Sequence, residues 1–98
     1  MALFLVSYDL HRQRNYQLLW NELSDRGGER VLDSLWVIEL KNRAGEVRDW
    51  LKELVDQDDS VAVIEVKEGS GWSTSRSQKR GVDWLRQHLS RHSMRVAG

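Results

Sequence analysis

Glu29-Arg-Val-Leu-Asp-Ser-Leu-Trp-Val-Ile-Glu-Leu-Lys41 is the stretch on which the architecture turns. It alternates in places and is rich in β-formers. It reads either as one long bent strand or as a tight hairpin. Asp33-Ser34 favour a turn, because short polar side chains bond to their own backbone, so the hairpin is the preferred reading. Upstream, Leu3–Tyr8 is an apolar run short enough for a buried strand. After a polar break at His11–Arg14, Asn15 stands where a helix N-cap belongs. Tyr16, Leu19, Trp20 and Leu23 then recur at helical spacing, and Gly27-Gly28 supplies the stop. Downstream, Asn42 offers a second N-cap, and Val47, Trp50, Leu51, Leu54 and Val55 form a second helical stripe. Asp56–Asp59 reads as a turn and Val61–Val66 as a last strand.

Strand, helix, two strands, helix, strand is the ferredoxin-like βαββαβ pattern, an α+β fold with an antiparallel sheet and both helices on one face. Residues 1–68 make that domain. Residues 69–98 extend it with a basic linker and a short C-terminal helix, carried by Val82, Trp84, Leu85, His88 and Leu89 and running to about His92, with 93–98 fraying. Strands 1 and 4 are nearly continuous apolar runs, so the sheet's second face needs a cover. A second copy is the simplest candidate, and the expectation is a homodimer.

The 98 residues fit one domain with a thin core. The chain has no cysteine, which excludes disulfides, Cys-bound zinc and thiol catalysis. Residues 2–6 are too short for a signal-peptide core, and no apolar run approaches the ~18 residues that span a bilayer. The expectation is a soluble, cytoplasmic protein with no membrane partner. The net charge of zero conceals an asymmetry. Residues 1–70 carry nine Lys/Arg against fourteen Asp/Glu, whereas residues 71–98 carry six against one, balances of −5 and +5. A basic tail suits either phosphate or an acidic body, its own or a partner's.

Asp9 ends the first strand in Val6-Ser-Tyr-Asp-Leu10, on the same face as Leu3, Leu5 and Ser7. If that face meets a second copy, a two-fold axis sets two Asp9 carboxylates opposite each other. Such a pair suits Mg²⁺, with Mn²⁺ as the alternative, and a metal there would activate water on a phosphodiester. The bland alternative is a strand-ending aspartate bonded to backbone. Tyr8 and Ser34 line the same neighbourhood, where their hydroxyls suit phosphate or a metal-bound water, although a core position for Tyr8 and a turn role for Ser34 are the bland alternatives. His11, Arg12 and Arg14 form a basic loop suited to a phosphate backbone, and a histidine titrates near neutrality, although a plain solvated loop is the commoner case for such a stretch. Trp72 with Arg76, Lys79 and Arg80 interleaves an aromatic with cations, a pattern for stacking on a base and gripping phosphate. A packing anchor is an equal reading of Trp72. His88 and His92 stand one helical turn apart but lack a carboxylate motif, which favours a solvated helix face.

The segment Val6–Leu10, the amphipathic helix after it, Gly27-Gly28 and Arg30-Val-Leu-Asp-Ser-Leu-Trp36 resemble the CRISPR-associated ferredoxin-fold endoribonuclease-like family, the small subunit of the spacer-acquisition complex. Its members open with a strand ending in Tyr-Asp-hydrophobic and carry a Ser-hydrophobic-aromatic motif, matched here by Ser34-Leu35-Trp36. The resemblance spans about residues 1–66. It implies that Asp9 is the metal ligand of a dimeric, metal-dependent nuclease acting on RNA or DNA. Equally, it allows a non-catalytic scaffold dimer that holds DNA beside an integrase subunit. Leu32 replaces a common glutamine, Trp36 replaces the usual phenylalanine, and residues 71–98 lack the fifth strand that often crosses to the partner. These departures point to a divergent, stand-alone homologue.

Overall fold

In the computed structural model, which describes residues 1–12 and 15–89, the decisive stretch is a hairpin. β2 (Glu29–Leu32) and β3 (Leu35–Leu40) join through Asp33-Ser34. Before them run β1 (Ala2–Asp9) and α1 (Gln17–Asp25), and after them α2 (Ala44–Lys52), β4 (Ser60–Val66) and α3 (Lys79–His88). The four strands form one antiparallel sheet in the order β2-β3-β1-β4. This is the ferredoxin-like α+β architecture, extended by one helix.

The helix boundaries refine the expected caps. Tyr16, not Asn15, occupies the N-cap of α1, although Asn15 Oδ1 still accepts the Gln17 N–H at 2.8 Å. Arg43, not Asn42, caps α2, and its own N–H donates to Glu46 Oε1 at 2.8 Å. A side chain three residues into the helix thus satisfies the entry, as in a capping box. Gly27 leaves α1 at φ 86°, a left-handed conformation that glycine adopts without a Cβ penalty.

Register divides the side chains between two cores. Phe4 faces Ile38 and Val6 faces Trp36 across the β1–β3 ladder. With Leu19, Leu23, Val47 and Leu51 from α1 and α2, they make the first, fully enclosed core. On the opposite face, Val31 and Val37 are buried with Trp84, Leu85 and Leu89, and Leu3, Leu5, Leu35, Val66 and Trp72 pack around them. Part of this face therefore needs no second copy to cover it. The chain covers it with α3, because Trp84 and Leu85 project from one side of an amphipathic helix onto the sheet. The contact is close: a Cβ on Gly81 would lie 2.6 Å from Val31 Cα. Gln78 N–H anchors the start of α3 to Val31 O at 2.9 Å. The linker also ends earlier than expected, since Lys79 and Arg80 already belong to α3. The final turn to His92 and residues 93–98 lie outside the described residues.

Candidate metal and nucleic-acid site

α3 leaves part of the second face open. β1 and β4 pair Leu5 with Ile64, Ser7 with Ala62 and Asp9 with Ser60. Ile64 is 58% exposed, and Ser7, Asp9, Ser60 and Ala62 are all exposed. Ser7, Asp9, Ser60 and Ala62 line a shallow depression of about 120 Å³ at the carboxyl end of β1. Asp9 lies on the face that strand parity assigned to it. Among the described residues its carboxylate has no hydrogen-bond or ion-pair partner, so it is not a strand-ending aspartate bonded to backbone.

The loops beside Asp9 are held by another carboxylate. Asp59 accepts the His11 N–H at 2.7 Å, the Tyr16 hydroxyl at 2.7 Å and the Asp56 N–H at 2.8 Å. Burial pushes the Asp59 pKa up, but these three donors outweigh it and hold the group below the usual carboxylate range. Burial and the bond to Asp59 push Tyr16 up to about 12. The β1–α1 and α2–β4 loops are thereby tied together, which fixes the end of the sheet that presents Asp9. His11 contributes its backbone to this junction, and the residue is exposed beside Asp9. Arg12 forms a two-point ion pair with Asp58, at 3.2 and 3.0 Å. Arg14 lies outside the described residues.

Ser34 is exposed at the β2–β3 turn, and its carbonyl accepts the Tyr8 N–H at 3.2 Å, so it stands at the same end of the sheet as Asp9. Tyr8 takes the core position that was the alternative reading. Alternation turns its ring to the helix side, where it is 5% exposed. Its hydroxyl donates to Asp33 O at 2.9 Å and accepts the indole N–H groups of Trp20 and Trp36, each at 3.0 Å. Tyr8 is a buried polar hub at the base of this end of the sheet.

The basic cluster sits elsewhere, at the β2 edge. Lys79 pairs with Asp83 at 2.8 Å, and Arg80 with Glu29 at 3.1 Å. Arg76 is exposed with φ 57°. Trp72 is half-buried against the second core, with its indole nitrogen enclosed and unpartnered. The anchor reading of Trp72 describes it better than base stacking. His88 stacks on Trp84, with ring centres 4.1 Å apart, and its Nδ1 lies 2.9 Å from Trp84 O. It is therefore a packed residue and not part of a solvated face, and His92 lies outside the described residues. Sequence reasoning missed Arg30, which stands opposite Trp36 in the β2–β3 ladder. The available signal was a charged residue at inward strand parity.

Among the described residues, no three His, Cys, Asp or Glu side chains gather as a metal cluster. The donor set at Asp9 is one carboxylate with the neighbouring Ser7 and Ser60. That fits a hard, largely hydrated divalent cation, which takes oxygen donors and needs only one or two carboxylates. It does not fit zinc, which prefers nitrogen and sulfur.

Fold and site together define a small ferredoxin-like domain with an exposed aspartate at the end of its first strand. The model of the CRISPR associated protein Cas2 family matches residues 1–72. The chain belongs to that family, which ties it to CRISPR spacer acquisition. The match ends at Trp72, so α3 lies beyond it. No described helix is long and apolar enough to cross a membrane.

Proposed function

We propose that the chain works as a homodimer on RNA or DNA during spacer acquisition, beside an integrase subunit, and that Asp9 from each copy completes one metal-dependent phosphodiesterase site. The observation that carries this reading is the exposed Asp9 carboxylate, without a partner among the described residues, on a part of the second face that α3 leaves open. A buried or ion-paired aspartate would be spent on structure. This one is free to hold a cation. Mg²⁺, or Mn²⁺ in its place, would supply a more acidic bound water and neutralise charge developing on the phosphate.

The chain's own residues do the rest. Asp9 would hold the cation through its carboxylate oxygens. The Ser7 and Ser60 hydroxyls flank it and can accept or donate to a phosphate oxygen. His11, on the loop held by Asp59, offers an exposed ring with nitrogen donors and acceptors beside the site. Arg12 stays with Asp58 unless a phosphate displaces that exposed pair, which contributes little on its own.

A non-catalytic scaffold is the second reading. It is favoured by the single carboxylate that each chain brings to the site. Cleavage of labelled single-stranded RNA and duplex DNA, with Mg²⁺, Mn²⁺ or EDTA, separates the two. The first reading expects metal-dependent cutting that Asp9→Asn loses while keeping its fold. No cutting, with salt-sensitive binding intact, would leave the scaffold.

A further inference from the structure

The second core is not closed. Between the sheet, α3 and the 67–78 connection lies a pocket of about 190 Å³. Leu5 and Val37 contribute to its floor, Leu85 and Leu89 flank it, and Trp72 supplies a wall. None of the side chains that line it is charged. The exposed Ser73 and Thr74 form part of its rim, so the pocket opens to solvent there. Protein interiors seldom leave a void larger than a water molecule. An apolar cavity of ~150 Å³ stays dry and takes a benzene-sized guest, because water finds too few polar partners inside it.

The wall also carries a donor without an acceptor. An indole N–H only donates, and when enclosed it normally finds a partner. Trp20 and Trp36 follow that rule, each donating to the Tyr8 hydroxyl at 3.0 Å. Trp72 Nε1 is enclosed as well, yet no acceptor reaches it among the described residues. An enclosed donor left unsatisfied is destabilising, so a guest that brings an acceptor gains by supplying it.

Size, absence of charge and a single spare donor together define that guest. Its body is apolar and about the size of one ring. It carries no formal charge, because an ion would give up its hydration for walls that hold no counter-ion. We propose that this pocket binds a small neutral ring compound bearing a carbonyl oxygen, which accepts the Trp72 indole N–H. Leu85 belongs to α3 and Leu89 caps it, so a bound guest also holds α3 on the sheet. No residue of this pocket lines the Asp9 depression. The inference is therefore independent of metal, nucleic acid and cleavage.

The test titrates the full chain with acetophenone, a neutral aryl ketone, and with ethylbenzene, which lacks the acceptor. Proton–nitrogen correlation NMR follows the indole N–H peaks, and the Trp72 peak is the one missing from Trp72→Phe. Acetophenone should move that peak downfield to saturation and raise the thermal midpoint. Trp72→Phe should weaken acetophenone binding about fivefold, the worth of one net hydrogen bond, and ethylbenzene binding less than twofold. Leu35→Trp, which fills the pocket from β3, should abolish binding of both. Benzoate, a similar ring with a charge, should not bind. If Leu35→Trp fails to fold, the Trp72 peak in the wild type locates the guest.

Failure of both probes to bind the wild type would overturn the inference, as would binding that persists in a folded Leu35→Trp. A Trp72 peak that stays still at saturation, or equal losses of both probes in Trp72→Phe, would overturn the hydrogen bond assigned to Trp72. Benzoate binding as tightly as acetophenone would overturn the neutral guest.

Discussion

Tyr8 and Asp9 are adjacent in sequence and have opposite fates, which strand alternation explains. Asp9 projects to the open face, and Tyr8 projects into a cluster of two indoles and an arginine. Parity made the position of Asp9 legible in advance. The role of Tyr8 was not legible, because its partners come from 12 to 28 residues away and no local pattern encodes them. Tyr8→Phe would strand two indole N–H groups, so it should cost about 2–3 kcal/mol in urea unfolding. A neutral result would mean that the hub is ornamental.

Tyr16 and Asp59 set the pH response. The Asp59 pKa is lower folded than unfolded, so its contribution is present above about pH 4 and is lost as pH falls through the folded value. The Tyr16 pKa is higher folded, about 12 against 10.0, so its contribution is full below pH 10 and declines as pH rises toward 12. Tyr16→Phe should flatten the alkaline limb of a stability–pH curve and leave a smaller acid limb. Urea midpoints across pH check both.

Among the elements, the strands and first two helices follow directly from periodicity. Leu19 and Leu23, or Val47 and Leu51, leave no doubt which stripe turns inward. α3 was legible as a helix but not as a cover. Its stripe of Trp84, Leu85 and Leu89 says that it packs, and nothing in the linker says on what. The apolar second face was read correctly, and the part around Val31 and Val37 is covered by α3. Gly81 records that cover. Gly81→Ala should lift the start of α3 from β2, expose Val31 and lower the thermal midpoint, despite the gain in helix propensity. Red-shifted Trp84 emission would accompany it. A stabilised variant would mean that the helix does not press on the strand.

For the whole molecule, α3 narrows the surface available to a second copy. What remains is the strip of Ser7, Asp9, Ser60, Ala62 and Ile64 and the free edge of β4. An exposed isoleucine on an unpaired edge strand invites pairing. If the homodimer forms there, Ile64→Glu should yield monomers by light scattering with an unchanged melting curve. A dimer that survives that charge would have to use another surface. On the proposed reading Asp9 needs a partner: one chain brings one carboxylate, and two chains paired along this strip would bring two.

That last point is the centre of the account, and metal stoichiometry tests it most directly. Mn²⁺ titrated into the purified protein by calorimetry should bind at one ion per two chains, with binding abolished in Asp9→Asn and impaired in Ile64→Glu. One ion per chain, or binding indifferent to Asp9→Asn, would contradict a shared site at the end of β1.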